Sequence, residues 1–176
     1  MSLLPIIKWP NPLLQEISKP VSNIDGTTQR LMDDMLYTMN HENGIGLAAV
    51  QIGELKRILI IQIQENERYN DIAQDAEISP DPLFIINPEI IKESKELITY
   101  KEGCLSFPDQ FANVKRHSEI IVKYLDYHGK EQVINATGIL SICLQHEIDH
   151  LNGIRFIDHL SILKRNMILK KLKKNN

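Results

Sequence analysis

The segment Gln145-His146-Glu147-Ile148-Asp149-His150 places two histidines four positions apart, with a glutamate directly after the first. On a helix, residues four apart project from one face, so both imidazoles can converge on one metal ion while Glu147 reaches a water molecule there as a general base. Apolar residues at positions 139, 140, 142, 143, 144, 148 and 151 predict a buried helix over 139–152. Burying three ionisable groups is costly unless a metal or polar partners offset it, so the segment indicates a metal site.

A catalytic metal site of this type needs a third protein ligand. Proteases that take a third histidine six residues after the second would need it at position 156, which is Phe156, and no glutamate follows Glu147. Two cysteines compete for the role. Cys104, beside a glycine in a turn after a predicted strand, can approach a metal closely, although buried cysteines are more often plain core residues. Cys143 lies on the histidines' own helix, where three ligands would give poor tetrahedral geometry, so we expect it to line the pocket.

The helices and strands predicted along the chain indicate an α+β fold. In it, antiparallel or mixed β-sheets pack around the buried helix, and a further helix lies at the C-terminal end. Helical spacing predicts a first helix over 25–43, which Asp25 or Thr27 caps. Two segments predict loops, a glycine-hinged one at 44–51 and a long polar one at 64–82. Strands are predicted at 57–63, 83–86, 98–100, 119–125 and 132–136, the last two flanking a turn at His128-Gly129.

The composition limits the class of protein. The 176 residues are 43% hydrophobic and 24% charged with a net charge of −3, which suits one domain over 1–176. Two cysteines cannot form a disulfide framework, the start does not resemble a signal peptide and no apolar run approaches bilayer length. We therefore expect a cytoplasmic protein without membrane contact.

Positive charge is concentrated at the end of the chain. The stretch 164–174 carries six Lys and Arg residues, and no acidic residue follows Asp158. We predict a basic helix over 160–176, with Leu160, Leu163, Met167 and Ile168 near one face. Such a charge run is either a solvated helix end or a surface that docks on RNA.

Three segments resemble, in the same order along the chain, the three signature motifs of peptide deformylases. They are Gly44-Ile45-Gly46-Leu47-Ala48-Ala49-Val50-Gln51, Glu102-Gly103-Cys104-Leu105-Ser106 and Gln145-His146-Glu147-Ile148-Asp149-His150. The resemblance extends over about 5–165 and implies a metal-dependent hydrolase. That enzyme would remove the formyl group from the N-terminal formyl-methionine of newly made polypeptides and release formate.

The resemblance also implies roles for individual residues. Cys104, His146 and His150 would be the metal ligands and Glu147 the general acid and base, while Gln51 and the backbone N–H of Leu105 would stabilise an oxyanion. The implied substrate-binding residues are Gly44, Ile45, Gly46, Gly103, Ile139, Ile142 and Cys143. The implied cofactor is one divalent ion, Fe2+ in the cell, with Zn2+, Ni2+ or Co2+ as alternatives. The implied partners are formyl-methionyl nascent peptides and the ribosome, which the basic helix would contact, and not DNA.

Two features depart from the family pattern. The polar stretch 64–82 is longer than in compact members of the family. Phe111 stands where many family members have arginine, which affects substrate contacts beyond the methionine. Arg116 is expected either to pair with Glu102 or to be a solvated surface residue.

Two other functions remain open, a metallopeptidase with an unfamiliar ligand set and a zinc-stabilised RNA-binding module. Glu147 argues against the module, because a structural zinc site does not need a general base.

Overall fold

A computed structural model describes residues 1–63 and 81–175 of the chain. The described residues form three α-helices and seven β-strands. The helices are α1 (Gly26–His41), α2 (Gly138–Leu151) and α3 (Ile162–Asn175). The strands are β1 (Gly46–Ala48), β2 (Ile58–Ile61), β3 (Leu83–Glu93), β4 (Leu97–Cys104), β5 (Phe107–His117), β6 (Glu119–Leu125) and β7 (Glu131–Thr137). The polar loop predicted at 64–82 lies almost entirely outside the described residues.

The strands form two separate antiparallel sheets. Five strands make a sheet in the order β1-β2-β3-β6-β7, and β4 pairs with β5 alone as a two-stranded hairpin. The predicted α+β class with antiparallel sheets is confirmed. Because β1 is an edge strand, one side of its backbone is not used by the sheet.

The five-stranded sheet is buried on both faces at β1 and β2, which explains the continuous apolar run of β2. Leu59 and Ile61 join the core cluster that includes α2, whereas Ile58 and Ile60 point to the methionines of α1. Successive side chains of a strand point to opposite faces, so four apolar residues in a row serve two cores. Helix α2 is thereby enclosed and, Gly138 and Asp149 apart, all its residues are buried.

The first helix begins as the sequence predicts. The Asp25 side chain accepts hydrogen bonds from the backbone N–H groups of Thr27 and Thr28, each at 3.0 Å. These bonds satisfy donors that a helix start leaves without intrahelical partners. The cap is therefore Asp25, and α1 ends at His41, two residues before the predicted end.

Two strands were not predicted. The segment expected to be a loop contains β1, whose three residues are too few to show an alternating pattern. Strand β5 was not predicted because two of its buried residues, Gln110 and Arg116, are polar, while Phe107 and Val114 are apolar. From Gln110 to Arg116 every second residue points inward, but these residues do not alternate in hydrophobicity with their neighbours, so the sequence shows no strand pattern.

The C-terminal helix differs from its prediction in its start and in its buried face. It begins at Ile162 because the residues just before it, Phe156–His159, form a 3-10 helix. The predicted apolar face is wrong for two residues, since Leu163 is 73% exposed and Met167 is 55% exposed. Ile168 and Leu172, one turn apart, pack instead into a third cluster. No helix of the described part of the chain is long and apolar enough to cross a bilayer.

Candidate active site

Helix α2 and the end of β4 bring together a cysteine and two histidines. The candidate ligand atoms of Cys104, His146 and His150 all lie within 4.8 Å of one another, and Cys104 Sγ is 3.2 Å from His150 Nε2. One thiolate and two imidazoles suit a divalent transition metal and leave room for a further ligand. Of the two cysteines weighed from the sequence, Cys104 is the one beside the histidines. Cys143 Sγ lies 3.8 Å from the backbone oxygen of Ile45.

A shift in the β4–β5 ladder helps to aim the Cys104 side chain. Gly103 pairs with Phe111, but Cys104 pairs with Phe107, so β5 contains extra residues at this point. Such irregularities bend the strand and redirect a side chain. The ring of Phe111 covers Gly103 closely, and a Cβ added there would lie 2.6 Å from Phe111 Cε1.

An unsatisfied polar atom beside the cluster fits a bound water molecule. Among the described residues, Glu147 Oε2 is buried without a hydrogen-bond partner. Buried polar atoms normally have partners, and an unpaired one next to a set of ligand atoms marks a place for water or substrate. Together with the convergence of one sulfur and two imidazole nitrogens, this means that the residues present fit a metal centre.

The Glu147 carboxylate is suited to proton transfer. Burial raises its pKa to about 7, with the charge of Glu102 acting in the same direction and His146 and Arg116 opposing it. A carboxyl group with a pKa near neutrality can both accept and return a proton. The carboxylate packs against Gly46, where an added Cβ would lie 2.5 Å from Glu147 Oε1.

Gln51 is held with its amide nitrogen towards the cluster. Its Oε1 accepts a hydrogen bond from the Ala48 N–H at 2.8 Å, and its Nε2 donates to Cys104 Sγ at 3.4 Å and Ser106 Oγ at 3.2 Å. The acceptor and donor ends of the amide are thus assigned by their partners. Leu105 follows Cys104 directly, so its backbone N–H is close to the same place.

Glu102 orients one of the histidines. Its Oε2 lies 2.8 Å from His146 Nδ1, and Arg116 donates to Oε1 from Nε at 2.7 Å and to Oε2 from Nη2 at 3.0 Å. Although burial favours the neutral acid, the hydrogen bonds from His146 and Arg116 lower the pKa of Glu102 to about 2. The ionised carboxylate only accepts, so Nδ1 carries the proton and His146 Nε2 is left to bind a metal. The predicted pairing of Arg116 with Glu102 is confirmed.

Two of the predicted substrate-binding glycines lie next to predicted catalytic residues. Gly44 lies against the Leu105 side chain, and Gly46, at the start of edge strand β1, lies against Glu147 and Cys143. Ile45, Ile139 and Cys143 belong to one apolar cluster. Ile142 is buried on α2 outside that cluster.

Sequence reasoning gave no role to three polar residues next to the site. Ser106 contacts Gln51, while Asp149 and His159 contact each other and Arg116. The sequence does point to Asp149, because it is an acidic residue in the predicted buried helix and its neighbours there are apolar or already have a predicted role. The sequence contained no comparable signal for His159.

Comparisons with known proteins agree with this geometry. The model of the polypeptide deformylase family matches residues 3–166. The chain is 49% identical over 174 residues to the peptide deformylase of Mesorhizobium japonicum, covering 99% of this chain and 93% of that one. It is 50% identical to that of Pelagibacter ubique, covering 99% and 95%.

Solved structures show the same relationship. The crystal structure of peptide deformylase from Ehrlichia chaffeensis matches with a TM-score of 0.91 at 45% identity, covering 99% of this chain and 97% of that one. A second structure from that organism, in complex with actinonin, matches with a TM-score of 0.92 at 44% identity, covering 100% and 99%. The similarity in sequence and backbone extends over nearly the whole chain, and the chain therefore belongs to the polypeptide deformylase family.

Proposed function

We propose that Cys104, His146 and His150 hold one divalent metal ion and that the site around it removes the formyl group from N-terminal formyl-methionine of newly made polypeptides. The observation that carries the assignment is the convergence of the three ligand atoms within 4.8 Å of one another, beside the buried Glu147. When bound, such an ion supplies Lewis acidity, which favours ionisation of water and polarises a carbonyl oxygen.

Glu147 is the proton carrier of this proposal. It takes the proton of the water that attacks the formyl carbon and returns it to the departing amine. In the metal-free protein burial raises the pKa of Glu147, and a carboxyl group whose charged form is disfavoured in this way is suited to taking up and returning a proton. Its unpaired Oε2 is an acceptor for that water.

Gln51 and the backbone N–H of Leu105 stabilise the oxygen on which negative charge develops. The Ala48 N–H fixes the Gln51 amide before substrate arrives, so little reorganisation accompanies the reaction. A single donor of this kind typically lowers the barrier by about 3 kcal/mol.

The substrate backbone is proposed to lie along the free edge of β1. Gly44 and Gly46 have no side chain to keep a peptide away, and a peptide can add to an exposed strand edge through main-chain hydrogen bonds. Gly103 would bound the cleft on the side of the hairpin. Ile45, Ile139, Ile142 and Cys143 would form the pocket for the unbranched methionine side chain.

The identity of the metal and the setting of the reaction complete the proposal. We assign Fe2+ as the ion in the cell, with Zn2+, Ni2+ and Co2+ as alternatives that the same ligands accept. The reaction takes place in the cytoplasm, where new polypeptides emerge. Metal analysis of protein purified without oxygen from its native cells distinguishes these ions.

We also propose that residues 1–176 form one catalytic domain whose basic C-terminal helix, 160–176, docks on ribosomal RNA. Support comes from α3, on which Lys164, Lys170, Lys171, Lys173 and Lys174 are all exposed. Ile168 and Leu172 anchor the helix to the body, which leaves the lysines free to contact phosphates.

Formate release from a formyl-methionyl peptide, measured with metal content, tests the proposed function. We expect Glu147→Ala to keep its metal and to lose about a thousandfold in kcat, because the proton carrier is gone. Cys104→Ala should lose the metal, whereas the control Cys143→Ala should keep it. Full activity of Glu147→Ala, or metal loss only in Cys143→Ala, would contradict the assignment.

The same preparation separates the two alternative functions. A metallopeptidase would cleave internal bonds of an N-acetylated peptide, and we expect no such cleavage. A non-catalytic RNA-binding module would release no formate at any metal loading.

A further inference from the structure

The three proposed ligands come from two elements, the β4–β5 hairpin and helix α2. No strand pairing fixes the distance between these elements. Cys104 ends β4 in the two-stranded hairpin, whereas His146 and His150 lie on α2. The hairpin is not hydrogen-bonded into the five-stranded sheet that packs against α2. Side-chain contacts must therefore contribute to setting the distance from the thiolate to the imidazoles.

Two charged contacts join the hairpin to α2 beside the cluster. Glu102 of β4 contacts His146 at 2.8 Å, and Arg116 of β5 donates from Nη1 to Asp149 Oδ2. Asp149 lies between the two histidines in sequence, and it is the residue directly before His150. The second contact thus holds the same helix turn that carries the ligands.

Arg116 is fully engaged by these partners. Its Nε and Nη2 face Glu102 and its Nη1 faces Asp149, so all three guanidinium nitrogens are used. The Arg116 and Glu102 side chains are only 4% and 3% exposed. A buried guanidinium held on two sides has one orientation, and that orientation fixes the Glu102 carboxylate.

His159 completes the outer side of this arrangement. Its Nε2 lies 2.7 Å from Asp149 Oδ2 and 3.3 Å from Arg116 Nη1. The contact to a carboxylate oxygen places the proton on Nε2, from which it is donated to Asp149. Asp149 therefore receives two donors at one oxygen, from β5 and from the 3-10 helix Phe156–His159.

We propose that Asp149, supported by His159, is a positioning residue for the metal site. It acts through Arg116 and Glu102 to fix His146, and it holds the hairpin with Cys104 at a constant distance from α2. Groups that orient metal ligands through hydrogen bonds commonly change metal affinity by about ten- to a hundredfold when they are removed. The inference rests on the proposed function, because it concerns the same metal site.

Binding of Co2+ tests the inference without relying on activity. The affinity is measured by competition with a chelator, and the visible absorption spectrum reports the geometry of the bound ion. We expect Asp149→Ala to weaken Co2+ binding by about tenfold and to change the spectrum. Asp149→Asn should recover much of the affinity, because its carbonyl oxygen can still accept from Arg116. His159→Phe should cause a smaller loss in the same direction.

Asp25→Ala is the control. Asp25 also accepts hydrogen bonds that stabilise the fold, from the Thr27 and Thr28 N–H groups at 3.0 Å each, but its partners lie at the start of α1 and none belongs to the cluster. Its removal should lower the unfolding temperature of the metal-free protein without changing the Co2+ spectrum. Unchanged Co2+ affinity in Asp149→Ala, or an equal loss in Asp25→Ala, would overturn the inference.

The experiment separates this inference from the proposed function. If wild-type protein binds Co2+ and releases no formate, the proposed function fails, while the effect of Asp149→Ala on binding still supports the positioning role. If wild-type protein releases formate and Asp149→Ala binds Co2+ normally, only the inference fails.

Discussion

Two buried carboxylates near the cluster differ in pKa because they have different partners. At Glu147 burial outweighs the charges of His146 and Arg116 and raises the pKa to about 7, whereas at Glu102 the hydrogen bonds from His146 and Arg116 outweigh burial and lower the pKa to about 2. Carboxyl groups with separated pKa values can serve separate purposes in one site. Glu102 thus suits the orientation of a ligand and Glu147 suits proton transfer.

The contact between Gly46 and Glu147 leads to a prediction for a single methyl group. In Gly46→Ala, the new Cβ would lie 2.5 Å from Glu147 Oε1 and 2.8 Å from Cys143 Sγ, so the carboxylate must move. We expect kcat for formate release to fall by about a hundredfold, since displacement of a reacting group by about 1 Å has that order of effect. Metal content should remain that of wild type. A kcat equal to that of the wild type would contradict the prediction, because activity would then not depend on this position of the Glu147 carboxylate.

The chain directly after helix α2 needs a glycine, Gly153. Gly153 follows the helix with φ of +73°, a conformation that favours glycine, and it packs against the backbone of Gln15. The segment 11–15 and the end of α2 are thereby brought into close contact. Helix α2 ends at Leu151, one residue before the end that the sequence predicts.

Gly153→Ala should destabilise the protein. The added Cβ collides with the Gln15 carbonyl oxygen and the backbone is strained, so we expect a loss of about 2–3 kcal/mol in the free energy of unfolding. Denaturant unfolding of the metal-free protein measures this loss. Gly26→Ala is the control, because a Cβ there meets nothing within 4 Å and should leave stability unchanged or slightly higher. Equal stabilities of the two variants would contradict the prediction.

The elements also show where sequence patterns stop being informative. Helix α1 was predicted because its apolar residues recur at helical spacing, and α2 because apolar residues lie nearly all round it, which indicates a buried helix. Strand β5 was missed because two of its inward residues, Gln110 and Arg116, are polar. Arg116 points inward because Glu102 and Asp149 neutralise it there, and no local pattern reveals partners so distant in the chain.

At the scale of the whole molecule, charge is divided between a catalytic body and a basic helix. The lysines of α3 are exposed, while Ile168 and Leu172 are buried against residues that include Phe107 and Phe156. Deleting the helix would therefore expose part of the core. A loss of ribosome binding could then not be distinguished from a loss of stability. Substitution of lysines alone avoids this problem.

The proposed docking on the ribosome predicts a loss of salt-dependent binding when α3 loses charge. The variant carries Lys170→Gln, Lys171→Gln and Lys173→Gln, and the matched control carries Lys92→Gln, Lys95→Gln and Lys130→Gln, all at exposed positions. We expect only the α3 variant to bind ribosomes more weakly, with a log–log salt dependence that is shallower by about 0.7–0.9 for each phosphate that the helix no longer neutralises. Formate release from a short peptide should be unchanged in both. Equal binding of the two variants across a salt series would exclude this docking surface.

Features that depend on neighbours along the chain can be predicted without the fold. The four-residue spacing of His146 and His150 places both rings on one helix face, and the start of α1 was predicted within a few residues, with Asp25 as one of two candidate caps. Three ordered motifs identified the family, because they bring chemically specific residues at fixed spacings.

Contacts between residues that are distant in the chain become visible in the folded protein alone. It places Cys104 rather than Cys143 beside His150, across 46 positions of sequence, and it joins Arg116 to Asp149 across 33. The physical reason is that helix and strand periods set distances over a few residues only. The packing of the β4–β5 hairpin against α2 sets the remaining distances, and with them the geometry of the site.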